Sequence, residues 1–97
     1  MVDAPLASRI AAELPAWRIV GDELVGRWKY PDFASAIASA VHVGALAQRA
    51  DHHPELRLGW GFLEIRLTTH SAGGLTTRDA DLAAAVQAAL GAPQRAG

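Results

Sequence analysis

Leu56-Arg57-Leu58-Gly59-Trp60-Gly61-Phe62-Leu63-Glu64-Ile65-Arg66-Leu67 is the stretch that decides the fold. Leu63, Ile65 and Leu67 alternate with Glu64, Arg66 and Thr68, the two-residue period of a strand with one buried face. Gly59-Trp60-Gly61 breaks the alternation, so two strands, Leu56–Trp60 and Phe62–His70, fold back on one another. Upstream the same design recurs: Trp17–Val20 and Leu24–Tyr30 flank Gly21-Asp22-Glu23. Leu24, Gly26, Trp28 and Tyr30 share one face there, and Arg27 and Lys29 point to the other, as in a sheet with one solvated side.

Helical periodicity fills the gaps between the hairpins. Leu6, Ile10 and Leu14 recur every four residues from Ala4 to Leu14, with Pro5 suited to a first turn and Pro15 as the stop. Asp32 is a good N-cap for a long helix from Phe33 to about Ala50, along which Phe33, Ile37, Val41 and Ala45 step by four. Its Ala and Gly content would let another helix approach closely. After the loop Ser71-Ala72-Gly73-Gly74, Thr76 or Thr77 caps a last helix that carries Asp79 in its first turn and buries Leu82, Val86 and Leu90. The tail from Gly91 to Gly97 should fray. The expected fold is α+β: a four-stranded antiparallel sheet with three helices packed on one face, in the order α-β-β-α-β-β-α, as a single domain over residues 1–97.

Composition removes several function classes. Nine basic against ten acidic residues give no electrostatic footprint for nucleic acid or an anionic membrane. Without cysteine there is no disulfide, thiol nucleophile or Cys-ligated metal. No apolar run approaches the roughly 20 residues of a membrane span, and the opening residues lack a secretory pattern, so a soluble cytoplasmic protein is expected. Chains this short bury only about 60–65% of their unfolded surface, so association with a second copy would help.

Chemistry concentrates in four polar residues. His52 and His53 lie between the long helix and the third strand, His70 at the end of the fourth, and Asp79 at the start of the last helix. Histidine is the side chain best placed to exchange protons near neutral pH. Each residue also has a plainer reading: polar loop residues before Pro54, a strand end, and an acid facing a helix dipole. Three His and one Asp could ligate a metal, but consecutive histidines diverge outside a helix, which makes metal the weaker reading. His42, inside the long helix, reads as a surface residue.

Spacing adds a family resemblance. His52-His53-Pro54, five residues, Trp60, nine residues, His70, eight residues, Asp79 is similar to the signature of pterin-4a-carbinolamine dehydratases. RWKYPDFASAI, from Arg27 to Ile37, and THSAGGLTTRD, from Thr69 to Asp79, extend the resemblance over nearly the whole chain. It departs from the family at Gln48, where an ionisable side chain is usual, and at Leu56, where relatives often carry an aromatic ring.

The resemblance implies dehydration of a 4a-hydroxytetrahydropterin to quinonoid dihydropterin, which recycles the pterin of aromatic amino-acid hydroxylases, with no metal or organic cofactor. It implies His52 and His70 as the main proton donors and acceptors, His53 holding the pterin, and Asp79 orienting a histidine. Pro54, Trp60 and Thr69 would help bind substrate. It also implies assembly into a homodimer or homotetramer, by sheet edges and by the long helix. A reading of another class stands beside it: a dimerising pterin- or protein-binding module without catalysis, which Gln48 and Leu56 would suit.

Overall fold

The computed structural model describes residues 2–94, in which α1 (Ala4–Glu13), β1 (Arg18–Val20), β2 (Glu23–Lys29), α2 (Phe33–Ala50), β3 (Glu55–Gly59), β4 (Phe62–Leu67) and α3 (Thr77–Leu90) follow one another. All strand pairs are antiparallel, in the spatial order β1-β2-β4-β3. The deciding stretch behaves as its alternation requires. Leu63, Ile65 and Leu67 of β4 are fully buried, facing Trp28, Gly26 and Leu24 of β2 in the ladder. Burying such a side chain stabilises by about 1.5–3 kcal/mol. One core joins this face of the sheet to Leu6, Ile10 and Leu14 of the first helical stripe, Val43 and Ala47 of α2, and Leu82 and Val86 of α3. The three helices therefore share one face, as the α+β reading requires.

Helix α2 has the expected bounds but turns a different stripe inward. Ala36, Ala40, Val43 and Ala47 are buried, whereas Phe33, Ile37 and Val41 remain 49%, 39% and 69% exposed. Small side chains let the helix lie close on β3 and β4, and the larger apolar residues are left on its outer side. Stripe size misleads here; the buried set at 36, 40, 43 and 47 also has helical spacing.

Gly26 shows how closely the core is fitted. A Cβ at this position would lie 2.9 Å from Cε3 and Cζ3 of Trp17 and from Cη2 of Trp28. Those two indoles meet edge-on at a centroid separation of 5.3 Å. Two stiff rings cannot both withdraw, so Gly26→Ala should destabilise the protein by about 1–3 kcal/mol, read as a lower denaturation midpoint in urea. The same region fastens the tail expected to fray: Trp28 Nε1–H donates to the Gly91 carbonyl (3.1 Å) and Gln94 N–H to the Arg27 carbonyl (2.7 Å). Residues 95–97 of that tail lie outside the described residues.

The other face of the sheet is charged but not freely solvated. Glu64, only 8% exposed, accepts from Arg66 Nε at 2.8 Å, with Arg27 and Arg57 nearby. The Arg66 hydrogen bond, followed by the positive charge of all three arginines, holds the Glu64 carboxyl below the usual carboxylate range against the opposing effect of burial. Among the described residues no helix is long and apolar enough to cross a membrane.

Candidate active site

The end of α2 brings the histidine pair into place. Asp51 closes the helix in the left-handed conformation (φ 51°, ψ 43°), and it is the one non-glycine residue at positive φ among the described residues. Asp tolerates this region better than most side chains. Asp51 N–H bonds to the Gln48 carbonyl and His52 N–H to the Ala47 carbonyl, the paired bonds of a Schellman turn. Chain reversal at this point carries His52 inward, to 8% exposure, and leaves His53 exposed.

Inside, His52 meets Asp79. Its Nε2 lies 2.6 Å from Asp79 Oδ1, although 27 positions separate the two in the chain. Asp79 is completely buried, because the capping box at the start of α3 holds it: Thr76 N–H donates to Asp79 Oδ2 at 2.9 Å. Thr69, also buried, donates its hydroxyl proton to the same oxygen at 2.7 Å. That leaves Thr69 Oγ1 free to accept from the Thr76 hydroxyl at 2.8 Å, and Thr76 Oγ1 in turn accepts from Arg78 N–H at 3.2 Å. Three donors thus converge on one carboxylate, and each bond polarises the next. Because a carboxylate only accepts, Nε2 is the donating nitrogen of His52, and in the neutral ring Nδ1 is then the acceptor.

His52, His53 and His70 all line one open cleft of about 310 Å³, together with Thr68, Thr69, Ser71, Asp51 and Arg78. His53 Nε2 lies 3.1 Å from Gln48 Oε1, so the amide that departs from the family pattern steadies the exposed histidine and not the buried one. A buried imidazole tied to a carboxylate and a second, exposed imidazole across the same cleft can accept and deliver protons on one small ligand.

Other expectations need correction. His70 does not close β4, which ends at Leu67; it opens a 3₁₀ turn, His70–Ala72. The isolated pairing of Thr69 with Gly74, and Gly73 at φ 73°, draw the chain into that turn. Thr69 lines the cleft as expected of a substrate-binding residue, and its hydroxyl proton goes to Asp79. Trp60, 78% exposed, caps the tip of the β3–β4 hairpin, the opposite end of the ladder from the histidines, and lines no part of the cleft. Leu56 and Pro54 are half-buried and outside the cleft; Leu56 pairs with Ile65 in the ladder. His42 is exposed.

Two residues of the site carry no signal in the sequence. The Arg78 guanidinium donates to the Asp51 carbonyl, tying the start of α3 to the end of α2. Asp51 itself reads as one more polar loop residue until its backbone conformation is known. Position beside the histidine pair, and beside Asp79 for Arg78, is the only hint either offers.

Known proteins resemble the chain in sequence and in fold. The family described as "Pterin 4 alpha carbinolamine dehydratase" matches residues 2–89. A protein of Natronomonas pharaonis named "Putative pterin-4-alpha-carbinolamine dehydratase" is 44% identical over 84 residues, 86% of this chain and 91% of its own. A Roseiflexus relative of the same name is 43% identical, covering 84% of this chain and 86% of its own. Among solved structures, a transcriptional coactivator/pterin dehydratase from Brucella melitensis superposes with a TM-score of 0.80 at 26% identity, over 91% of this chain and 95% of the other. A pterin dehydratase-like protein identified as a RuBisCO assembly factor in the alpha-carboxysome gives 0.66 at 25% identity, over 79% and 92%.

Proposed function

The chain belongs to the pterin 4 alpha carbinolamine dehydratase family, and we propose that it removes water from a 4a-hydroxytetrahydropterin, returning quinonoid dihydropterin to an aromatic amino-acid hydroxylase. The observation that carries this reading is the 2.6 Å contact between His52 and buried Asp79 at the wall of a cleft shared with His53 and His70.

The chemistry needs one proton taken and one given. The lone pair on N5 of the pterin forms the C4a=N5 bond as the C4a–O bond breaks. His52 Nδ1 takes the N5 proton; His70, as imidazolium, gives a proton to the hydroxyl, which leaves as water. Proton exchange with solvent resets both rings. Each transfer is worth on the order of 10²–10⁴ in rate. His53, steadied by Gln48, holds the ring. The exposed stripe Phe33, Ile37 and Val41 and the unpaired edges of β1 and β3 are the surfaces by which copies of the chain would assemble.

Purified protein added to carbinolamine generated in place by a hydroxylase should shorten the lifetime of the 4a-hydroxy absorbance, and should scatter light as two or four chains. Decay at the rate seen in buffer alone would overturn the enzymatic reading. It would favour the other one, a dimerising binding module, to which the likeness to an assembly factor already points.

A further inference from the structure

A second recess, of about 320 Å³, lies between the C-terminal half of α2 and α3. Leu46, Leu82 and Ala85 give it an apolar lining, and Arg49 and Arg78 supply its positive charge. His52 and Arg78 line both this recess and the histidine cleft, so the two hollows adjoin at the side chain proposed to do the chemistry.

Among the described arginines outside the recess, all but Arg18 of β1 are paired with an acid. Arg9, Arg27, Arg57 and Arg66 each lie within 4.0 Å of a carboxylate oxygen. Arg49 has no hydrogen bond or ion pair among the described residues, and Arg78 has only the Asp51 carbonyl, a neutral acceptor. The acid in the recess, Asp81, is engaged by Arg9 Nη1 at 2.8 Å. Two guanidinia thus stand over an apolar lining with no protein anion assigned to them. A guanidinium fork matches the paired oxygens of a carboxylate or a phosphate.

We infer that the recess receives the ring substituent of the pterin and that this substituent ends in an anion, a carboxylate or a phosphate ester. The inference rests on the proposed pterin chemistry only for the placement of the ring in the histidine cleft. An apolar or aryl span would cover Leu46, Leu82 and Ala85, and the anionic end would meet Arg49 and Arg78. A short neutral substituent leaves both cations unused.

Stable 7,8-dihydropterins test this by fluorescence titration, apart from any turnover. Three probes are needed: one bearing a p-aminobenzoylglutamate tail, one a phosphorylated side chain, and one a methyl group. At least one anionic probe should bind about tenfold more tightly than the methyl compound, an advantage that falls in high salt. Whichever anion shows it identifies the source. Arg49→Gln should abolish the advantage and leave the methyl compound's affinity unchanged. Equal binding of all three, no binding at all, or an advantage that survives Arg49→Gln would overturn the inference. Dehydration measured in parallel separates the two claims: turnover without tail preference rejects this inference alone, and tail preference without turnover rejects the enzymatic reading alone.

Discussion

His52→Ala should lower kcat/KM for carbinolamine dehydration by a factor of about 10²–10⁴ and change the folded state little. The size of the effect follows from where the two ring nitrogens go. Nε2 is committed to Asp79, so Nδ1 is the single nitrogen left to take a proton from the substrate. Alanine removes it, and no other imidazole can replace it: His53 and His70 are exposed, and His53 is engaged with Gln48. The cost to folding is smaller. Asp79 keeps its bonds from Thr69 and Thr76, and the backbone bond from His52 N–H to Ala47 does not depend on the side chain. About 1.5–3 kcal/mol is expected, because the lost bond ran to a buried carboxylate that keeps its other two donors. Steady-state kinetics together with a urea melt separates the two effects. A variant that folds normally and turns over at the wild-type rate would remove His52 from the chemistry.

Much of this arrangement is legible in the amino-acid sequence, and the limits have physical causes. Alternation in β4 specified which face is buried, because a one-residue slip would expose Leu63, Ile65 and Leu67 together. The spacing from His52 to Asp79 points to a site through its likeness to the family signature, since each residue taken alone has a plainer reading. Three things were hidden. Helix α2 offers two apolar stripes, and side-chain size favours the wrong one; only the close approach of α2 to the sheet selects Ala36, Ala40, Val43 and Ala47. Strand ends depend on backbone pairing, so nothing local shows that His70 lies past the end of β4 in a 3₁₀ turn. Contacts across the fold, such as Thr69 with Asp79 or Arg78 with the Asp51 carbonyl, join residues with no shared periodicity. Trp60 illustrates the converse. Its place in the spaced pattern drew it into the site, but hairpin geometry sends it to the far end of β3 and β4.

Asp79→Asn should reduce turnover by about 10²-fold or more with little loss of stability. The reason lies in the donors that surround the carboxylate. Oδ2 faces two of them, the Thr69 hydroxyl and Thr76 N–H, and Oδ1 faces His52 Nε2. An asparagine amide keeps every bond in only one orientation, with its oxygen toward the two threonines and its NH₂ toward His52. His52 must then accept at Nε2, and its proton moves to Nδ1, the nitrogen that serves as base. Packing survives and the tautomer is inverted. A nuclear magnetic resonance spectrum of the imidazole nitrogens should show that exchange directly. Because both changes act through one nitrogen, the double variant His52→Ala with Asp79→Asn should be no slower than His52→Ala alone. Asp79→Ala is the contrasting case: it leaves the buried Thr69 hydroxyl without its acceptor and breaks the capping box, for a stability loss of about 1–3 kcal/mol. If Asp79→Asn turned over normally, Asp79 would be a helix cap and nothing more; if its effect simply multiplied that of His52→Ala, it would not act through His52.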